Sequence, residues 1–185
     1  MRIAIVIGHS VLSQGAKNEQ MGLTEYKFNE QIAQDVAREL VKEGFTPFII
    51  YRQKYTDLPN DINSTNPDLI LSLHCNAFDT KASGTTMIYC GGSRKGEIFA
   101  ECLQQNVVAA LGFKNRGIEG RTSGRGMSLL KNTKAPVVIA EPFFIDNYNE
   151  LIALLEKEDD NVLSKAYVSA IVEAKKRFEN HLLTH

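Results

Sequence analysis

The sequence predicts an α/β fold, a sheet covered by helices on both faces, and three observations carry that prediction. Short uncharged runs rich in Ile, Val and Leu, as at residues 3–7 and 69–73, are what strands buried on both faces look like. Between such runs lie long segments with apolar residues at helical spacing. The two kinds alternate with no internal repeat, low-complexity tract or linker, so the chain is expected to form one domain over residues 1–185.

Taken in order, residues 2–7 read as a first strand that ends at Gly8, His9 and Ser10. A polar, glycine-bearing loop covers residues 10–22. A helix follows over 24–42, with Phe28, Ile32, Ala33, Val36, Ala37, Leu40 and Val41 on one face, Thr24 as its N-cap and Gly44 as its stop. Residues 45–51 read as the second strand. A polar, proline-broken segment leads to the central strand, 69–73, which ends on His74. Another short strand covers 85–90, and residues 97–111 form a second clear helix. Residues 112–128 read as a glycine-rich loop carrying Arg116, Arg121 and Arg125, either a cationic rim for an anionic substrate or a solvated flexible loop. The strand 136–140 delivers Glu141 at its end. Two helices, 147–155 and 161–178, close the chain.

Composition excludes several classes. A hydrophobic share of 43% is that of a globular chain, and 185 residues leave ample core. A net charge of −1 gives no case for nucleic-acid binding. No apolar run reaches transmembrane length, so no membrane insertion is expected. Cys75, Cys90 and Cys102 are odd in number and lack metal-type spacing, which reads as reduced thiols. Residues 1–7 begin like a signal peptide but are too short for its apolar core, so no secretion signal is expected.

Three polar groups, His9, His74 and Glu141, stand at strand ends, and Glu25 opens the helix after the first strand. Each has an ordinary role available: His74 can cap its strand, and Glu25 can complement its helix dipole. A carboxylate such as Glu141 is costly inside a strand, since a buried ion needs a partner. All four can converge on one edge of the sheet, where ligands of open α/β folds collect. Two imidazoles and one carboxylate are a standard set for catalytic zinc, and a further carboxylate beside the metal can serve as general base.

Four segments resemble the zinc-dependent N-acetylmuramoyl-L-alanine amidases (amidase type 3) of bacterial cell-wall lytic enzymes and phage endolysins. They are Ile5-Val6-Ile7-Gly8-His9; Gly22-Leu23-Thr24-Glu25 with Asn29; Ser72-Leu73-His74-Cys75-Asn76-Ala77; and residues 130–147, centred on Ile139-Ala140-Glu141-Pro142-Phe143-Phe144. Their order and spacing fit the family over nearly the whole chain. The resemblance implies a twisted, mostly parallel sheet of about six strands, phosphorylase/hydrolase-like, with helices on both faces. It implies that His9, Glu25 and His74 bind Zn2+ and that Glu141 is the catalytic acid/base. The substrate would be peptidoglycan, cut at the amide joining N-acetylmuramic acid to L-alanine, by a monomer. Asn76, Arg121 and Arg125 are candidate substrate contacts. The family commonly follows its first His with glycines and an Asp; here Ser10-Val11-Leu12-Ser13 follows, which changes any contact made from that loop. No long helical insertion of the kind that blocks some division amidases separates His74 from Glu141, so an uninhibited enzyme is expected.

Alternatives from other classes are a zinc carboxypeptidase acting on cell-wall peptides and a non-catalytic wall-binding module with structural zinc. Structural zinc sites are usually closed by four protein ligands, against three plus a base here. Cys75 as a nucleophile lacks a separate His–Asp partner. His181 and His185 sit four apart on the tail with no third ligand nearby. With no signal peptide and no wall-binding domain, the expected setting is a phage-type endolysin made in the cytoplasm and released to the wall. A mother-cell lysis enzyme and a domain trimmed from a larger protein are the alternatives.

Overall fold

The computed structural model describes residues 1–158 and 161–182. Its strands are β1 (Arg2–Ile7), β2 (Lys17–Asn18), β3 (Leu23–Thr24), β4 (Thr46–Ile50), β5 (Leu69–Leu73), β6 (Thr85–Cys90), β7 (Asn115–Arg121) and β8 (Val137–Glu141). Its helices are α1 (Glu25–Lys42), α2 (Leu58–Ser64), α3 (Arg94–Leu111), α4 (Met127–Asn132), α5 (Tyr148–Glu158) and α6 (Val162–Leu182). Six strands form the main sheet in the order β4-β1-β5-β8-β6-β7, and β2 and β3 form a small antiparallel ribbon. Only the β6–β8 pair of the main sheet is antiparallel.

The sheet separates two apolar layers, and the alternation of each strand feeds both. Ile3, Ile5 and Ile7 of β1 join Leu69, Leu71 and Leu73 of β5 against α1, α3, α5 and α6. Ala4, Val6, Ile70, Val137 and Ile139 face the opposite way, onto α2 and α4. The central strands therefore lack polar alternation because neither face meets water. Among the described residues no helix is long and apolar enough to cross a membrane. All three cysteines are free, as their spacing predicts.

The strand order places a topological switch point between β1 and β5. From β1 the chain moves outward to β4, then returns across to β5 on the other side. The crevice outside the carboxyl ends of such a strand pair is where α/β sheets collect ligands. Here those ends carry Gly8-His9 and His74-Cys75.

Four expectations are corrected. Residues 112–128 are not one loop: β7 is the sixth strand of the sheet and α4 begins at Met127. An exposed edge strand written Asn-Arg-Gly-Ile-Glu-Gly-Arg carries one apolar side chain, so it shows no strand periodicity; charge at an edge also deters unwanted pairing. The proline-broken segment holds α2, with its proline in the first turn, where a missing N–H costs nothing. The loop 10–22 contains β2, which pairs with β3 just beyond the loop. Helix α3 starts at Arg94 rather than 97, because Ser93 caps it by accepting the Gly96 N–H at 3.1 Å. His185, and with it the His181/His185 pairing, lies outside the described residues.

Candidate metal and catalytic site

Three adjacent parallel strands build the site. Leu73 pairs with Ile7 on one side and with Ala140 on the other. One step further along, His74 therefore has Gly8 and Glu141 as its neighbours, and its N–H donates to the Ala140 carbonyl at 3.0 Å. His9 follows Gly8 with φ of 67°, a left-handed conformation uncommon outside glycine. Such backbone strain persists where its surroundings enforce it and is concentrated at functional sites.

Glu25 reaches the same point from the start of α1. Thr24 caps the helix, its Oγ accepting from the Lys27 N–H. The Glu25 N–H donates to the Ala16 carbonyl at 2.8 Å, which fixes the helix start against the preceding loop. Its side chain is 4% exposed, so dipole compensation at a wet helix end is not its main role. One oxygen, Oε2, lies 3.1 Å from His9 Nε2 and accepts from the Ala16 N–H. The other, Oε1, lies 2.9 Å from His74 Nδ1 and accepts from the Cys75 N–H. Burial pushes this carboxyl up, but hydrogen bonds from His74 and His9 outweigh it and hold Glu25 well below the usual carboxylate range. It is an anion between two imidazoles.

One donor atom from each of His9, Glu25 and His74 lies within 4.8 Å of the other two. A tetrahedral zinc with ligands at about 2.0–2.2 Å holds them in comparable proximity. The donor set also suits the ion chemically: two imidazole nitrogens and one carboxylate oxygen, with the histidine side chains 28% and 26% exposed toward a cavity. The residues present fit a single metal ion open on one side.

Two glycines permit the convergence. A Cβ at Gly8 would lie 2.5 Å from the Leu73 carbonyl oxygen and 2.7 Å from the His74 ring. At Gly15 it would meet Glu25 Oε2 at 2.6 Å and the His9 ring at 2.7 Å, and Gly15 also has φ of 77°. Gly8→Ala is accordingly expected to push β1 off β5 at the site, lowering stability by about 1–3 kcal/mol and weakening metal retention. Thermal melting and metal analysis check it; an unchanged melt and unchanged metal content would show that the strand ends yield freely.

Glu141, partly buried, faces a cavity of about 470 Å3 that also takes in His9, Glu25, His74, Asn76, Arg121 and Arg125. Burial raises its pKa above the ordinary value, against the opposing pull of His74 and Arg121. A carboxylate of raised basicity beside a metal site is suited to taking a proton. Cys75 is buried, and burial followed by the nearby Glu25 charge pushes its thiol well up. That removes it as a nucleophile, since the thiolate is the reactive form.

The structure brings all seven sequence-predicted residues to one cavity. It also shows contributors the sequence reading passed over. Glu119 holds the Arg121 guanidinium through two contacts, 2.7 and 2.8 Å. Residues two apart on a strand share a face, so this pair was readable once β7 was known. Glu150, buried, accepts from the Gly84 N–H at 2.6 Å and the Phe144 N–H at 2.8 Å, tying α5 to the turn that follows Glu141. Asp146 accepts from the N–H groups of Phe78 and Thr80 and fixes the loop after Asn76.

The sequence of this six-stranded α/β domain matches a known family. The sequence profile described as N-acetylmuramoyl-L-alanine amidase matches residues 3–173, and the chain belongs to this family. It is 28% identical over 151 residues to the N-acetylmuramoyl-L-alanine amidase LytC of Bacillus subtilis (strain 168), covering 77% of this chain and 29% of LytC. It is 28% identical over 170 residues to an uncharacterized 38.4 kDa protein of Clostridium perfringens, covering 86% of this chain and 48% of that protein. The chain thus spans less than half the length of these curated relatives. The crystal structure of an N-acetylmuramoyl-L-alanine amidase from Clostridium difficile 630 superposes with a TM-score of 0.86 at 20% identity, over 95% of this chain and 96% of that one.

Proposed function

We propose that this chain hydrolyses the amide bond between N-acetylmuramic acid and L-alanine in peptidoglycan, with zinc held by His9, Glu25 and His74 and with Glu141 as general acid/base. The observation that carries it is the convergence of the three donors within 4.8 Å, in the cavity that Glu141 also faces. Family membership supports the bond and the substrate. When bound, zinc supplies a Lewis acid and brings the pKa of a water toward about 7.

The chain's own residues do the rest. Glu141 takes the proton of the attacking water on a carboxylate oxygen and returns it to the nitrogen of the departing alanine. Its raised basicity serves the first transfer, and Arg121 beside it steadies the anion that remains after the second. Glu25 is not available as a second acid, because both its oxygens are engaged by His9, His74 and backbone N–H groups. Glycosidases ordinarily need two carboxylates flanking a sugar bond, so amide cleavage suits this site better. Asn76, Arg121 and Arg125 line the approach and contact the substrate. One chain supplies every residue of the site, in keeping with action as a monomer, and the place of action is the cell wall.

Clearing of purified sacculi tests the proposal. Activity is expected to stop with a chelator and return with added zinc, while circular dichroism stays unchanged, because a core of this size does not depend on the ion. Clearing that persists in chelator would exclude a metal hydrolase.

A further inference from the structure

Beyond Glu141 the metal cavity opens into a second space, a groove of about 850 Å3 along β7. Asn76, Arg121, Arg125 and Glu141 line both, so the two are continuous past the catalytic carboxylate. The groove adds Lys114 and Arg116, which gives it four cations against two carboxylates, Glu119 and Glu141. This excess is local: the whole chain has 21 basic and 22 acidic residues.

Glu119 already neutralises Arg121 through its two-pronged contact. Lys114, Arg116 and Arg125 are exposed, and among the described residues none of them forms an ion pair. Arg116 makes no direct ion pair and feels the Glu150 carboxylate only at a distance: its guanidinium lies over the Phe144 ring at 5.2 Å and donates to the Ser83 carbonyl at 3.3 Å. On the β4 side of the metal cluster the cavity lining offers one cation, Arg52, over the Tyr55 ring at 5.7 Å, together with the apolar Leu58. The site is electrostatically lopsided.

The substrate is lopsided in the same sense. Once its lactyl group is in an amide, muramic acid has no free carboxylate, whereas the peptide stem carries them. Resting on the amidase reading, we propose that the β7 groove is the peptide-stem subsite, and that Lys114, Arg116 and Arg125 select stems bearing free carboxylates over amidated ones. The scissile amide then lies at Glu141 with the peptide along β7 and the glycan toward Tyr55. Exposed cations act through screened attraction, so the preference is a few-fold and salt-sensitive.

Two synthetic muramoyl peptides test it, identical except that the second residue of the stem, D-glutamate, carries a free α-carboxyl or an α-carboxamide. For the zinc-loaded chain kcat/KM is expected to favour the acid by about 3–10-fold at low salt, falling toward one at high salt. In a Lys114→Ala/Arg125→Ala double variant, which keeps Arg116, the ratio should fall by at least half through KM for the acid, and to about one when Arg116→Ala is added. Independently of turnover, calorimetry should show chelator-treated wild-type chain binding the free acid peptide several-fold more tightly than the amidated one. Equal binding and equal turnover of the two forms, or a preference that survives the triple variant and high salt, overturns the subsite while leaving the amidase reading intact. Failure to cut either probe or sacculi counts against the amidase reading, and the binding comparison then decides the subsite alone.

Discussion

Glu141→Gln is expected to keep the fold and the bound metal and to lose about 10²–10⁴-fold in turnover, the usual contribution of a general acid/base. The amide side chain is nearly isosteric with the carboxylate but cannot take a proton. Glu141 ends β8 beside His74 and forms no part of the three-donor cluster, so metal should remain. Its burial gives the substitution a further effect: removing a partly buried charge relieves a desolvation cost, so the variant should melt no lower than wild type. Turnover on sacculi, zinc content and a melting curve measured together separate these effects. Near-wild-type turnover with metal bound would remove Glu141 from the mechanism.

His74→Ala is expected to abolish stoichiometric zinc. The wild-type chain should hold one ion, and the variant loses one of three protein donors. The loss in affinity should exceed the about 10–100-fold that accompanies removal of a partner outside the ligand shell. Glu25 Oε1 keeps only the Cys75 N–H, so the metal-free variant should also be less stable by about 1–3 kcal/mol. It should still fold, because the layers on both faces of the sheet are complete without it. Metal analysis after dialysis checks the first expectation. Unchanged zinc content would show that His74 is not a ligand.

Most of this site was legible in the sequence for a physical reason. Strands β1, β5 and β8 are buried on both faces, so an ionisable residue cannot be placed inside them cheaply and appears where the run ends. That is how His9, His74 and Glu141 announce themselves. Glu25 was less certain, because any glutamate in a first helical turn has the dipole as an explanation. Its burial and the contacts of both its oxygens speak for a place in the cluster with His9 and His74. The tolerance of Gly8 and Gly15 for close neighbours depends on how β1, β5 and the loop before α1 approach in space, which no local pattern encodes.

The edge of the sheet was not legible. Strand β7 is half exposed and mostly charged or glycine, so its residues read as a loop, and the β7 groove was invisible with it. Arg116, Arg121 and Arg125 left two roles open in sequence. The fold decides their place, since β7 pairs with β6 and carries Arg116 and Arg121, with Arg125 in the turn beyond it, to the mouth of the metal cavity. Arg121 proves to be tethered by Glu119, which sets it apart from the two freer arginines.

The central claim is that this cavity cuts the muramoyl–L-alanine amide, and the most direct measurement is end-group analysis of digested peptidoglycan. Soluble products should carry new amino termini on L-alanine and no new reducing sugar ends, with peptides separating from intact glycan strands. New reducing ends, or new amino termini on residues other than L-alanine, would contradict the account even with zinc bound at His9, Glu25 and His74.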